Sequence, residues 1–184
     1  MLFRSPHRLR TDLDHVQNRI RLHRNQRQQH HGACADGYLQ RADGTHPVVE
    51  AAAEIAGDQL RILAVTVLTS MSQQDLDDSG MSTPLDELVP RRAGIAIAAG
   101  ANGVVASGHE AAALRESLGG DALIVTPGIR PSFAAGTQDQ ARVMTPRAAF
   151  ERGASHIVVG RPIIAAADPF GAAKGILRDL TGTE

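Results

Sequence analysis

Apolar residues fall into two regimes along the chain. From about Pro47 onward they cluster in short runs that alternate with stretches rich in Ala and Glu. Residues 1–45 are instead dominated by Arg, His, Gln and Asn, as in RIRLHRNQRQQHH, and sustain neither the period of two of a strand nor the period of 3.6 of a helix. Composition alone makes that first stretch an irregular, Arg-rich arm, and residues 46–184 one packed domain. Within the domain, ILAVTVL (62–68), GVVAS (103–107), LIVTPGI (123–129) and HIVVGRPII (156–164) are expected strands. PVVEAAAEIAG is an expected helix stopped by Gly57, and SMSQQDLDDSG, PLDELVPRRAGIAIAAG, HEAAALRESLGG, TPRAAFERG and DPFGAAKGILRDL follow in the same sense. Thr145 and Asp168 stand at cap positions, each followed by Pro at the first helical position. Pro90 should start or kink its helix, because it lacks an N–H and its ring crowds the preceding turn.

Strand and helix therefore alternate four times. The strands are continuous apolar runs, which means burial on both faces and a parallel sheet covered by helices. The fold class is α/β. Four βα units are half a (β/α)₈ barrel or a small doubly wound sheet, and periodicity does not separate the two. The length of 184 residues is short for a complete barrel, which usually takes about 250.

Charge and composition narrow the function classes. A single Cys excludes an intramolecular disulfide framework. No apolar run reaches the roughly 18–20 residues that span a bilayer, and the start has no apolar stretch of signal-peptide length, so the expected location is cytoplasmic with no membrane partner. Residues 1–31 carry seven Arg against two Asp, yet no aromatic lies between Phe3 and Tyr38. Stacking recognition of nucleic acid uses aromatics among the basic residues, so no nucleic-acid partner is expected. His30, His31 and Cys34 lie close together but no second ligand cluster follows at zinc-site spacing, so no metal is expected. The only lysine is Lys174, which reads as a solvated residue of the last helix, as Arg91 and Arg92 read as helix surface.

Working residues of parallel α/β folds lie at the carboxyl ends of the strands. Those ends here are Leu68-Thr69-Ser70, Ala106-Ser107-Gly108, Thr126-Pro127-Gly128-Ile129-Arg130-Pro131 and Val159-Gly160-Arg161-Pro162. Two of them place an Arg beside Gly and Pro. Glycine lets backbone N–H groups approach a ligand, and the guanidinium fork matches an oxyanion. A phosphate held by the last two loops is the recurrent barrel arrangement. The polar loop between them carries Gln138, Asp139, Gln140 and Arg142 and is a candidate lid.

AVTVLTSM (64–71), GVVAS with HEAAALR (103–115), VTPGIRP (125–131), DQARVMTP (139–146) and VVGRPI (158–163) resemble consecutive segments of bacterial orotidine 5′-phosphate decarboxylase, over about residues 47–181. The resemblance implies a TIM barrel in which the segment from residue 62 supplies strands five to eight. It implies conversion of orotidine 5′-monophosphate to UMP in pyrimidine biosynthesis, by a homodimer, with no metal or organic cofactor. It places substrate contacts on Thr69, Arg130, Gln140, Gly160 and Arg161, with Gln140 and Arg161 gripping the phosphate. A sugar-phosphate enzyme of the same superfamily is the nearest competitor, which VTPGIRP and MTP disfavour.

The chain departs from that family where the chemistry sits. The family's Asp-x-Lys-x-x-Asp motif is absent, and Lys174 lies elsewhere. Arginine holds its proton too tightly to replace the lysine as proton donor. No catalytic residue is therefore assigned. The expected protein is either a decarboxylase impaired as written, or a non-catalytic phosphate-ligand binder or partner-dependent half-barrel. Codons compatible with His30-His31-Gly32-Ala33-Cys34, reread one base later, spell Ile-Thr-Val-His-Ala, which resembles the end of the family's fourth strand. A shifted frame over about residues 1–35 and a divergent arm are both open accounts of the first regime.

Overall fold

In the computed structural model, the described residues are 2–4, 47–131 and 143–181. Five strands form one sheet in the order β1-β5-β4-β3-β2, where β1 is Leu2–Arg4, β2 Leu63–Val65, β3 Gly103–Val105, β4 Leu123–Thr126 and β5 His156–Val158. The pairs β2/β3, β3/β4 and β4/β5 are parallel. The helices are α1 (Pro47–Ala56), α2 (Gln73–Asp78), α3 (Leu85–Ala98), α4 (Ala111–Leu118), α5 (Pro146–Glu151), α6 (Arg161–Ile164) and α7 (Pro169–Thr181). The four expected βα alternations are thus present.

Alternation along each strand sends Val104, Ile124 and Ile157 toward the helices. Val104 and Ile124 pack with Leu76 of α2, Leu88, Val89, Ala93 and Ala96 of α3, and Ala111 and Leu114 of α4. Ile157 packs with Ala149 of α5, Ile163 of α6, and Ala173, Ile176 and Leu180 of α7. Apolar burial of this kind, at about 25 cal/mol per Å² removed from water, is the main stabilising contribution. The opposite ends of the strands are tied by one side chain. Arg115 of α4 donates to the carbonyls of Gly119, Gly120 and Ala122 from Nη1 and to that of Gly153 from Nε and Nη2, at 2.6–3.1 Å.

Several expectations are corrected. The expected strand over 156–164 ends at Val158, and Arg161–Ile164 is helical. Pro162 has no N–H for a strand ladder but suits the first turn of a helix, where that donor is unpaired anyway. Pro90 does not start its helix but is the sixth residue of α3. Its missing bond would have used the carbonyl of Asp86, an exposed residue of the first turn. Burial on both faces does not extend to β2, where Leu63 is 36% exposed. Within the arm expected to be irregular, Leu2–Arg4 forms β1 and pairs antiparallel with β5, which supplies ladder partners to an otherwise open parallel edge.

Candidate functional site

The carboxyl ends of β2 to β5 lie along one edge of the sheet because the four strands are parallel. β2 runs into Thr66, whose hydroxyl donates to the Val105 carbonyl at 3.0 Å. Arg92 of α3 donates from Nη1 to the Thr66 carbonyl at 2.8 Å and approaches the Met81 sulfur with Nη2 at 3.4 Å. Arg92 is therefore half-buried structure rather than helix surface. Thr69 follows three residues later, half-buried, in a turn closed by the Met71 N–H donating to the Leu68 carbonyl. The next residues form a capping box. Ser72 Oγ accepts from the Asp75 N–H, and the Asp75 carboxylate accepts from the Ser72 N–H at 2.7 Å and hydroxyl at 2.6 Å. The Ser72 hydroxyl, and then its amide, hold the Asp75 carboxyl below the ordinary aspartate range. Asp77 and Asp78 accept from Gln73 and Gln74 along the helix surface, so this acidic run is cap and solvated face.

β3 runs into Ser107 and Gly108, both buried. A Cβ on Gly108 would lie 2.7 Å from the Met144 sulfur and 3.3 Å from Thr126 Cγ2. The loop after β3, the end of β4 and the segment before α5 thus meet at Gly108, where a side chain would require Met144 to move. Thr126 itself is fully buried, and its hydroxyl has no hydrogen-bond partner.

After β4 the chain turns at Pro127-Gly128. Gly128 has φ +76°, a region closed to most L residues. Its carbonyl accepts from the Met144 N–H at 3.1 Å, and the Arg130 N–H donates to the Met144 carbonyl at 2.9 Å. Ile129 and Met144 form a parallel bridge. Arg130 is therefore anchored through its backbone to the strap entering α5. Thr145 caps α5 by accepting from the Ala148 N–H, and Pro146 fills its first position.

After β5, Gly160 (φ −105°, ψ −100°) turns the chain into α6, which begins with Arg161. Arg130 and Arg161 thus follow adjacent parallel strands, at the carboxyl ends of β4 and β5. Thr69 follows β2, which is separated from β4 by β3 in the sheet. Gln140, like His30, His31 and Cys34, lies outside the described residues. Lys174 is exposed on α7 with Nζ 4.6 Å from the Phe170 ring centroid. Among the described residues no group of three His, Cys, Asp or Glu side chains could hold a metal, and no helix is long and apolar enough to cross a membrane.

Sequence reasoning missed Arg92 and the Gly108–Thr126–Met144 seam. Arg92 lies 26 positions from Thr66, so nothing local marks it. Gly108 was visible as a strand-end glycine, but its tight neighbours come from two other segments.

These features define a parallel α/β protein with its candidate ligand residues at the carboxyl ends of the strands. Residues 40–176 match the Orotidine 5′-phosphate decarboxylase / HUMPS family, and the chain belongs to that family. It is 49% identical over 124 residues to orotidine 5′-phosphate decarboxylase of Geobacter sulfurreducens, covering 67% of this chain and 52% of that one. It is 51% identical over 138 residues to the enzyme of that name from Caulobacter sp. (strain K31), covering 74% and 60%. Among solved structures it is similar to orotidine 5′-phosphate decarboxylase from Lactobacillus acidophilus, with a TM-score of 0.54 and 41% identity over 65% of this chain and 49% of that one. It is also similar to an uncharacterized conserved protein from Geobacillus kaustophilus, with a TM-score of 0.59 and 32% identity over 76% and 61%. The chain spans about half the length of the curated relatives it matches.

Proposed function

We propose that this chain is the carboxyl-terminal, phosphate-gripping half of an orotidine 5′-phosphate decarboxylase barrel, its strands β2 to β5 being barrel strands five to eight, and residues 1–45 an arm outside it. Arg130 and Arg161 supply two guanidinium groups for the 5′-phosphate of orotidine 5′-monophosphate or UMP, and Gly160 supplies close backbone approach. Thr69 and Gln140 complete the contacts. The observation that carries this reading is the placement of Arg130 and Arg161 after adjacent parallel strands. As in the family, the assembled enzyme is a cytoplasmic homodimer.

The reaction breaks the bond between the pyrimidine ring and its carboxylate. Carbon dioxide leaves, the electron pair stays on the ring carbon, and a lysine ammonium donates the proton that completes UMP. A carboxylate set against the substrate's own carboxylate favours that loss, and the ammonium stabilises the developing charge. This chain carries the grip and not those groups, because it has no Asp-x-Lys-x-x-Asp and its one lysine lies on α7. Alone it binds nucleotide without decarboxylating it. That absence also favours the second reading, a phosphate-ligand binder that acts only with a partner.

Titration calorimetry with UMP and with uridine tests the grip. UMP should bind at least about tenfold more tightly than uridine, a difference of about 1.4 kcal/mol, and Arg161→Ala should remove most of that preference. Equal affinity for the two, or no binding of either, defeats the reading. The coding sequence read in all forward frames separates a shifted frame, which would encode the missing motif, from a divergent arm.

A further inference from the structure

Three methionines lie among the described residues, Met71, Met81 and Met144, and all three are half-buried. Their sulfurs meet different surroundings. The Met81 sulfur accepts from Arg92 Nη2 at 3.4 Å. Met144 packs against the cluster that holds Ile129, Ala149 and Ile157. Its sulfur lies 2.7 Å, and its methyl carbon 3.3 Å, from where a Cβ on Gly108 would stand. A thioether gains positive charge as it attacks an oxidant. The guanidinium beside Met81 opposes that charge, so Met81 is the more protected of these two sulfurs.

Met144 is also the residue through which the Arg130 backbone is held. Its N–H donates to the Gly128 carbonyl and its carbonyl accepts from the Arg130 N–H. Side chain and strap belong to one residue, so displacing the sulfur pulls on both bonds. An oxygen added to the sulfur makes a flexible apolar side chain polar, chiral and larger. Packed as it is, that oxygen needs a donor. Thr126 has one to give. Its side chain is fully buried and its hydroxyl has no hydrogen-bond partner. Its Cγ2 lies 3.3 Å from the same point beside Gly108 that the Met144 sulfur approaches.

We propose that Met144 is a reversible oxidation site whose modification releases the backbone of Arg130. A hydroperoxide transfers one oxygen atom to the sulfur. The sulfur lone pair forms the new sulfur–oxygen bond, the O–O bond breaks, and the peroxide leaves as an alcohol or as water. Sulfur is oxidised by two electrons and the peroxide is reduced by two. The enlarged side chain shifts from its place against Gly108, and the Met144 backbone moves off Gly128 and Arg130. The Thr126 hydroxyl donates to the sulfoxide oxygen, so the opening stays local and the domain stays folded. The site stands on this geometry, while its bearing on nucleotide binding rests on the reading of Arg130 as part of the phosphate grip.

The test treats the full 184-residue chain with hydrogen peroxide. Peptide mass spectrometry locates the added oxygen, and hydrogen exchange follows the Met144 and Arg130 amides. Met144 should be oxidised before Met81, and both amides should then exchange at least about tenfold faster. A methionine sulfoxide reductase with a thiol should restore their protection. Met144→Leu, a volume-conserving swap, should keep the Arg130 amide protected through the same treatment. Oxidation should lower the thermal midpoint of Thr126→Val further than that of the parent chain, because the buried sulfoxide then lacks its donor. Oxidation of Met81 first, an Arg130 amide that stays protected beside an oxidised Met144, loss of its protection in peroxide-treated Met144→Leu, or equal falls in midpoint with and without the Thr126 hydroxyl would each overturn the proposal. Opened amides in a chain that never preferred UMP to uridine uphold the oxidation site and defeat the grip reading alone.

Discussion

Arg92 reaches from the middle of α3 to the carbonyl oxygen of Thr66, 2.8 Å from Nη1, at the point where β2 ends. Burial, and then the neighbouring Arg91 charge, push its pKa below the ordinary arginine value, though a guanidinium stays protonated at any physiological pH. The bond fixes the carboxyl end of β2 three residues before Thr69. A helix residue with no role in the candidate grip thereby sets where one of its members stands.

Arg92→Met keeps most of the aliphatic stem and removes the donor. It should lower stability by about 1.5–3 kcal/mol, the usual range for a hydrogen bond to a charged group. Arg92→Lys should recover part of the loss. Urea unfolding midpoints for the three proteins decide this, and an unchanged midpoint for Arg92→Met would mean that water serves the Thr66 carbonyl equally well.

Thr126 offers the opposite case. Its hydroxyl is buried without a partner while its methyl packs near Gly108. Thr126→Val keeps the shape and removes the unpaired polar group, so stability should rise by about 1 kcal/mol. A fall in the thermal midpoint would show that the hydroxyl finds a partner in solution.

Gly128→Ala forces a side chain onto φ +76°, at a cost of about 1–2 kcal/mol. Because Gly128 and Arg130 share the backbone strap to Met144, the variant should also weaken UMP binding. Gly57→Ala, also at positive φ (+47°) just beyond α1 and outside that strap, serves as the control. Equal UMP affinity in the two variants would uncouple the strap from the grip.

Asp75 gives a pH signature. Its folded pKa lies below the model-peptide value of 3.8, because Ser72 bonds the ionised form. The contribution to stability is complete above that value and disappears as pH falls through the lower folded pKa. Ser72→Ala should bring the Asp75 titration, followed by carboxyl NMR shifts, back up toward 3.8. A midpoint that stays put would assign the shift to something other than the capping box.

Local chemistry made much of the fold legible in the sequence. Ser72 and Thr145 cap their helices, Gly57 ends one, and Pro146 fills a first turn, each through bonds within four residues. Thr69, Arg130, Gly160 and Arg161 were legible as strand-end residues because parallel strands carry their ends to one side. Arg161 was nonetheless placed inside a strand, since HIVVGRPII is apolar throughout and only the missing N–H of Pro162 marks the change to helix.

What the sequence by itself determined is the alternation of strand and helix, the family and the absence of the Asp-x-Lys-x-x-Asp motif. These depend on residue identity and short-range spacing. Only the tertiary structure decided that Arg92 serves Thr66 across 26 residues, that Met144 lies against Gly108, that β1 pairs with β5 and that β2 is the last strand of the sheet among the described residues. Each of these is a contact between segments distant in sequence, and the apolar pattern of one segment carries no record of which other segment will lie against it.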